Sequence, residues 1–339
     1  MSASEPLLSV EQLSVTFPTD DGVLHAVDDV SFSVLPGETL GIVGESGSGK
    51  TVTSMAILGL LPSRAQVSGR IVFEGRDLRS LEEKDLEQIR GDRIAMVFQD
   101  ALAALNPAHR VGDQIAEAIT VHQKIGREDL KARVLELLEL VGIPNPIDRA
   151  EQYPHEYSGG MRQRAMIAMS IANDPDLLIA DEPTTALDVT IQAQVLDVFE
   201  RIQERTRSAI VLITHDLGVV AGVADRVLVM YAGQQVELGS VDDLFYESRH
   251  PYTAGLLASL PRLDRRADKA DRLYRIDGQP PSLVFRPSGC SFHPRCPEVR
   301  LDGPCTQMVP ELREIRPGHR AACHFAEEIF ESQPAGGTA

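Results

Sequence analysis

The stretch "TLGIVGESGSGKTVTSMAILGL", residues 39–60, narrows the possible folds of this chain more than any other. Its opening "TLGIV" is an unbroken apolar run of strand length, the pattern of a strand covered on both faces of a parallel sheet. Gly44, Glu45, Ser46, Gly47, Ser48, Gly49, Lys50 and Thr51 follow and match G-x-x-x-x-G-K-[ST], with a helix-like segment after them. Glycines let the backbone turn tightly, so successive N–H groups point at phosphate oxygens, and the start of the helix adds a favourable dipole. In such a cradle Lys50 is expected to reach the β- and γ-phosphates of a nucleotide, and Thr51 to ligate magnesium.

The same kind of run recurs in "LLIA" (177–180), "AIVLI" (209–213) and "RVLVMY" (226–231), enough for a parallel sheet. Residues 7–35 instead alternate, with Val30, Phe32 and Val34 set against Ser31 and Ser33, which predicts antiparallel strands. Between 111 and 172 the pattern turns helical. Leu130, Val134, Leu137, Leu138 and Val141 recur at helix spacing, and Gly142 is placed to end that helix. "LLIADEP" carries the second piece of chemistry: Asp181, at a strand end, is placed to hold a magnesium shell, and Glu182 to polarise a water for in-line attack on a γ-phosphate. A solvated acidic turn stopped by Pro183 is the plainer reading of these residues, and the phosphate loop argues against it.

Composition bounds the function classes. At 339 residues the chain has room for one large domain and a smaller one. "SASEPLLSV" after Met1 has neither a basic nor an apolar leader character, so a cytoplasmic protein is expected. "TSMAILGLLP" and "AIVLITHDLGVVAGVADRVLVMYAG" are too short or too broken by charge to span a bilayer. A net charge of −17 speaks against a nucleic-acid partner, which needs clustered Lys and Arg. Residues 1–250 carry 21 basic and 39 acidic side chains, whereas 251–339 carry 12 and 11, and this shift places a domain boundary near Arg249 and His250.

"YSGGMRQR" (157–164) resembles the LSGGQ signature of ABC-transporter ATPases, with Tyr157 and Met161 departing from the commonest letters. The resemblance implies an ABC-type P-loop ATPase of α/β class: a parallel-sheet core, an N-terminal antiparallel β subdomain, and a helical subdomain at about 100–172. It adds Gln99 in "VFQD" as a Q-loop residue and magnesium ligand, Asp188 in "TTALD" as the D-loop, His215 in "ITHD" as the switch histidine, and Phe17 as the residue stacking on adenine. Asp188 is equally placed to cap the helix after it, whose Val195, Val198, Phe199 and Ile202 form one apolar face. His215 and Gln99 also fit ordinary strand-end positions, and Phe17 fits core packing. Such ATPases act as head-to-tail pairs, so Ser158, Gly159 and Gly160 would face the nucleotide held by a partner subunit. The implied partners are two transmembrane permease subunits, a second ATPase chain of the same or a paralogous kind, and an external binding protein for the carried solute. The implied location is peripheral, on the cytoplasmic face of the cell membrane, with ATP and Mg2+ as cofactors.

Other ATPases of this type fit less well. A DNA-maintenance ATPase carries a long coiled coil between phosphate loop and signature, yet only 108 positions separate Lys50 from Ser158 and sustained heptads are absent. A translation-associated ATPase carries two such domains, and this chain has one phosphate loop and one signature. A binding-only regulator is disfavoured because Lys50, Asp181, Glu182 and His215 are all present.

"HPYTAGLLASLPR" (250–262), "GQPPSL" (278–283), "GCSFHPRCP" (289–297) and "GHRAACHF" (318–325) resemble the C-terminal extension of dipeptide and oligopeptide importer ATPases, with related nickel importers as the alternative. A loop-rich extension over 251–339 is expected. It holds every cysteine of the chain: Cys290, Cys296, Cys305 and Cys323. Their spacing lacks the paired C-x2-C of zinc ribbons, and disulfides are disfavoured in a reducing compartment. Four thiolates suit an iron–sulfur cluster, and the resemblance implies the 4Fe-4S type. Zn2+ with help from His293, His319 or His324, and four free thiols, remain the other readings.

Overall fold

The computed structural model describes residues 5–100, 104–185, 188–260 and 274–328. Residues 101–103 of the expected helical segment, Ala186 and Leu187 of "TTALD", and 261–273 and 329–339 of the extension lie outside the described residues.

In chain order the elements are β1 (Leu8–Thr19), β2 (Gly22–Val34), β3 (Thr39–Val43), α1 (Lys50–Ile57), β4 (Gln66–Phe73), β5 (Arg76–Asp77), α2 (Glu83–Ile89), β6 (Ile94–Val97) and α3 (Val111–Thr120). Then come α4 (Arg127–Leu140), α5 (Pro146–Ala150), α6 (Gly159–Ser170), β7 (Leu177–Asp181), α7 (Val189–Thr206), β8 (Ala209–Thr214) and α8 (Leu217–Val223). The chain continues with β9 (Arg226–Tyr231), β10 (Gln234–Ser240), α9 (Val241–Glu247), α10 (Pro251–Ala258), β11 (Arg313–Arg316) and β12 (His319–Ala321).

The alternating N-terminal residues form an antiparallel sheet in the order β2-β1-β4-β5, which buries Val10, Leu13, Val30, Phe32 and Val34 on one face. The unbroken apolar runs form the second sheet, ordered β11-β12-β10-β9-β3-β8-β7-β6, parallel from β9 to β6. Successive side chains of a strand point to opposite faces, and here each face has its own core. Leu177, Ile179, Val211 and Ile213 pack with the N-terminal sheet, whereas Leu178, Ala180, Ile210 and Leu212 pack with the helical layer. Burial on both faces is why these strands are apolar throughout.

The helical layer takes its buried residues from α3, α4 and α6, including Val111, Ile115, Leu137, Leu138, Ala165 and Met166. α4 ends as its sequence implies: Gly142, one residue past the cap Val141, has φ +72°, a left-handed conformation that glycine adopts without a side-chain clash. In α7 the expected face of Val195, Val198, Phe199 and Ile202 is buried, and Asp188 accepts from the Ile191 N–H at 3.0 Å.

Residues after 250 do not stand apart from this sheet. β12 pairs with β10, placing Glu237 opposite Ala321, and β11 adds the outer strand. The backbone N–H groups of Arg249 and His250 donate to the Glu237 carboxylate at 2.6 and 3.1 Å. Burial pushes the His250 imidazole down to about 3, so it is neutral, and its Nδ1 accepts from the Tyr252 N–H to start α10. Tyr231, Tyr252 and Phe292 then pack with ring centroids 4.6–5.3 Å apart, joining β9, α10 and the cysteine segment in a third core. The sequence shows no periodicity for β11 and β12 because both are short, charged strands at a sheet edge, where only His319 and Ala321 are buried.

Candidate functional site

The turn from β3 into α1 is shaped by close backbone approach. A side chain at Gly44 would come within 2.2 Å of the Met230 carbonyl, and one at Gly49 within 2.5 Å of the Ala26 carbonyl; both residues, and Gly47, have positive φ. Gly49 starts α1 without any side-chain cap, so the first N–H groups of that helix are left for a ligand.

Lys50 is buried, and its Nζ donates to the carbonyls of Gly44 at 2.8 Å and Glu45 at 3.1 Å, folding the chain back over its own loop. Burial holds its pKa below the usual lysine range against the pull of Glu182, Asp181 and Glu45. The Thr51 hydroxyl donates to Asp181 Oδ1 at 3.2 Å. Burial holds the Asp181 carboxyl above the usual range, with the Thr51 hydrogen bond opposing the shift.

Glu182 follows at the end of β7 with φ +48°, a conformation that costs a non-glycine residue roughly 1–3 kcal/mol and clusters at functional sites. Its N–H donates to the Ile213 carbonyl, and its Oε2 accepts from Gln99 Nε2 at 3.1 Å and from the Thr185 hydroxyl at 2.8 Å. His215 Nδ1 stands 3.4 Å from the same oxygen. Three residues separated by up to 116 positions thus converge on one carboxylate oxygen.

Gln99, Glu182 and His215 line a cavity of about 680 Å3 together with residues 45–52. Phe17, Leu24 and Ala26 form an apolar wall at one end, with Leu256 and Leu283 contributing as well. Gly44 and Asp181 are not in the cavity wall and reach it through Lys50 and Thr51. Sequence reasoning missed Leu24, Leu256 and Leu283: isolated leucines outside any motif carry no signal of a shared pocket.

The signature residues lie elsewhere. Ser158 and Gly159 are exposed at the start of α6, away from the cavity wall, and Ser158 Oγ accepts from the Met161 N–H at 3.3 Å. At Gly160 an added Cβ would meet Ile191 Cγ2 at 2.9 Å, so its small size admits α7. Tyr157 is buried, its hydroxyl donating to the Arg149 carbonyl, and burial pushes it up to about 12. Asp188 is exposed at the cap of α7.

The four cysteines are free thiols, and all of them line one small cavity of about 20 Å3 with His293, His324, Phe292 and Phe325. The Cys290 N–H donates to the Cys305 carbonyl at 2.9 Å. Burial raises the Cys290 thiol and pushes Cys296 up to about 12 and Cys323 up to about 11. Four sulfurs lining one cavity fit a thiolate-bound group in kind, although burial favours the protonated form of Cys290, Cys296 and Cys323. Among the described residues, however, no three His, Cys, Asp or Glu side chains stand close enough together to hold a metal ion. His319 is removed from the expected zinc set: it is fully buried and its Nε2 pairs with Glu237 Oε1 at 2.8 Å.

Residues 27–185 match the family described as ABC transporter, and residues 236–302 the family described as oligopeptide/dipeptide transporter, C-terminal region. The dipeptide transport ATP-binding protein DppD of Bacillus subtilis is 50% identical over 337 residues, 99% of each chain. The oligopeptide transport ATP-binding protein OppD of Escherichia coli is 46% identical over 94% of this chain and 93% of its own. OppD of Mycobacterium tuberculosis is 53% identical over 96% of this chain but only 52% of its own, so the chain spans about half the length of that relative. Among solved structures, the dimeric ATP-binding cassette MJ0796, in a post-hydrolysis state with ADP and Pi, matches with a TM-score of 0.62 at 24% identity, over 69% of this chain and 98% of its own. The cbiO1 protein of Clostridium perfringens, part of the ABC transporter complex cbiONQ, matches at 0.61 and 28%, over 72% and 92%.

Proposed function

Because this chain belongs to the family of ATP-binding subunits of oligopeptide and dipeptide ABC transporters, we propose that it hydrolyses ATP to power import of dipeptides or oligopeptides through a membrane complex. The observation that carries the catalytic part is the convergence of Lys50, the Thr51–Asp181 pair and the Glu182, Gln99 and His215 cluster on one cavity.

In this reading residues 44–51 cradle the phosphates, Lys50 turns from the loop carbonyls to the β- and γ-phosphates, and the adenine lies against Phe17. Thr51, Gln99 and Asp181 hold Mg2+, which when bound neutralises charge that develops on the phosphate oxygens. Glu182 takes a proton from the attacking water, and His215, beside the same carboxylate, holds that geometry. Ser158, Gly159 and Gly160, of which the first two are exposed and none lines their own cavity, serve the nucleotide of a second ATPase subunit, with Asp188 near that junction. Closure around ATP is then a shift between two states, since only the closed pair makes both sets of phosphate contacts.

The partners of this reading are two permease subunits, a second ATPase chain and an external peptide-binding protein, with the chain peripheral on the cytoplasmic face. No helix among the described residues is long and apolar enough to cross a membrane, which fits a subunit that relies on separate permeases. Residues 1–250 form the ATPase unit and 251–339 an extension built onto its sheet. In that extension Cys290, Cys296, Cys305 and Cys323 hold a 4Fe-4S cluster, a reading supported by their facing one space; the cluster supplies crosslinking of the loops. Vesicles carrying the whole complex test the function. ATP-dependent uptake of labelled dipeptides, lost with Lys50→Ala, is expected, and ATP turnover without peptide uptake overturns the substrate assignment.

A further inference from the structure

Glu45 is an acid inside an anion cradle. It lines the cavity, where a free carboxylate would repel a triphosphate. Its surroundings answer that charge. Arg295 donates to it in a fork, Nη1 to Oε2 at 2.6 Å and Nη2 to Oε1 at 3.0 Å, from 250 positions further along the chain. The Arg295 side chain is only 4% exposed, and its Nε donates to the Asp277 carbonyl at 3.0 Å. The Glu45 backbone is held as well, its N–H donating to the Tyr252 hydroxyl at 2.9 Å and its carbonyl accepting from Lys50.

We propose that Arg295 is a positioning residue for the nucleotide site: it neutralises and fixes Glu45, so that the phosphate loop presents its N–H groups and not a negative charge. The inference rests on the reading of the cavity as an ATP site. A planar guanidinium suits the task because it binds both carboxylate oxygens at once and stays charged when buried, which a lysine ammonium does less well. When Lys50 leaves the Glu45 carbonyl for a phosphate, Arg295, Tyr252 and the Ser48 N–H, which donates to that carbonyl at 3.2 Å, keep Glu45 in place. Arg295 directly precedes Cys296, in the turn His293–Arg295. The fold of the cysteine segment therefore sets where the guanidinium stands, linking the extension to the nucleotide site.

The test is equilibrium titration of the full chain with Mg-ATP and Mg-ADP, beside steady-state turnover. Arg295→Ala is expected to weaken ATP binding about tenfold, equivalent to roughly 1.4 kcal/mol, and ADP binding less, because repulsion grows with phosphate charge. KM should rise far more than kcat falls, and Arg295→Lys should lie between. Glu45→Gln added to Arg295→Ala should recover most of the lost affinity, since the charge that needed a partner is gone. Wild-type affinity in Arg295→Ala, or a double variant no tighter than the single, overturns the proposal. Should Arg295→Ala fail to fold, Arg295→Lys with and without Glu45→Gln makes the same comparison. A wild-type chain that binds neither nucleotide, like Lys50→Ala, overturns the reading of the site itself.

Discussion

The Thr51 hydroxyl donates to Asp181 Oδ1 at 3.2 Å, joining the first turn of α1 to the end of β7 across 130 positions. The contact sets an acid into a buried place where its charge is unfavourable, and burial raises its pKa accordingly. Between its unfolded and folded pKa the native state holds the proton more tightly, so this group's contribution to stability falls as pH rises through that window. Asp181→Asn keeps an oxygen for Thr51 and removes the charge. Its nucleotide-free melting temperature should exceed the wild type's at neutral pH while ATP hydrolysis is lost. A lower melting temperature would show that the carboxylate stabilises the fold.

Glu182→Gln retains an oxygen for Gln99 and Thr185 but cannot take a proton. ATP binding should stay close to wild type while turnover falls by about 10²–10⁴-fold. Lys50→Ala should weaken ATP binding itself. Single-turnover hydrolysis near the wild-type rate in Glu182→Gln would assign the base elsewhere.

Ser158→Arg places bulk and charge at an exposed helix start. Crosslinking of the ATP-bound pair should disappear, with the isolated chain's ATP affinity unchanged. Ser158 also caps α6, so a thermal melt should show a loss of about 1 kcal/mol. A fall in the isolated chain's affinity equal to that of Lys50→Ala would place Ser158 in its own chain's site.

Natively produced chain, handled without oxygen, should carry iron and labile sulfide in roughly four-to-four ratio. In Cys296→Ser the iron should be lost and the extension should become sensitive to protease. The Arg295 to Glu45 fork implies weaker ATP binding in Cys296→Ser, by no more than the Arg295→Ala loss. Stoichiometric zinc without sulfide would replace the cluster with a zinc site, and four freely alkylated thiols in a protease-resistant extension would dismiss both.

The features legible in the sequence are those whose cause is local. Gly44 and Gly49 announce a turn because backbone carbonyls stand where their side chains would be, and Gly47 because its φ is positive. Apolar runs announce strands covered on two faces, and Asp188 announces a helix start because its side chain reaches a backbone three residues on. Motif order along the chain also named Phe17, residues 45–51, Gln99, Glu182 and His215, which line one cavity, but not Leu24, Ala26, Val52, Leu256 or Leu283, which line it with them.

What the tertiary structure decided are contacts between residues that share no period and no neighbourhood. Gln99, His215 and Thr185 meet at one Glu182 oxygen only because β6, β7 and β8 lie side by side in a parallel sheet. His319, a metal-ligand candidate by its nearness to cysteines, is taken by Glu237 because β12 pairs with β10, and a buried carboxylate needs a partner more than a distant thiol does. Leu283 lines the cavity, and Arg295 reaches Glu45 in its wall, because the third core packs the extension against α10. A salt bridge across 250 residues leaves no periodic trace, since its two members need only be opposite in charge and brought together by everything folded between them.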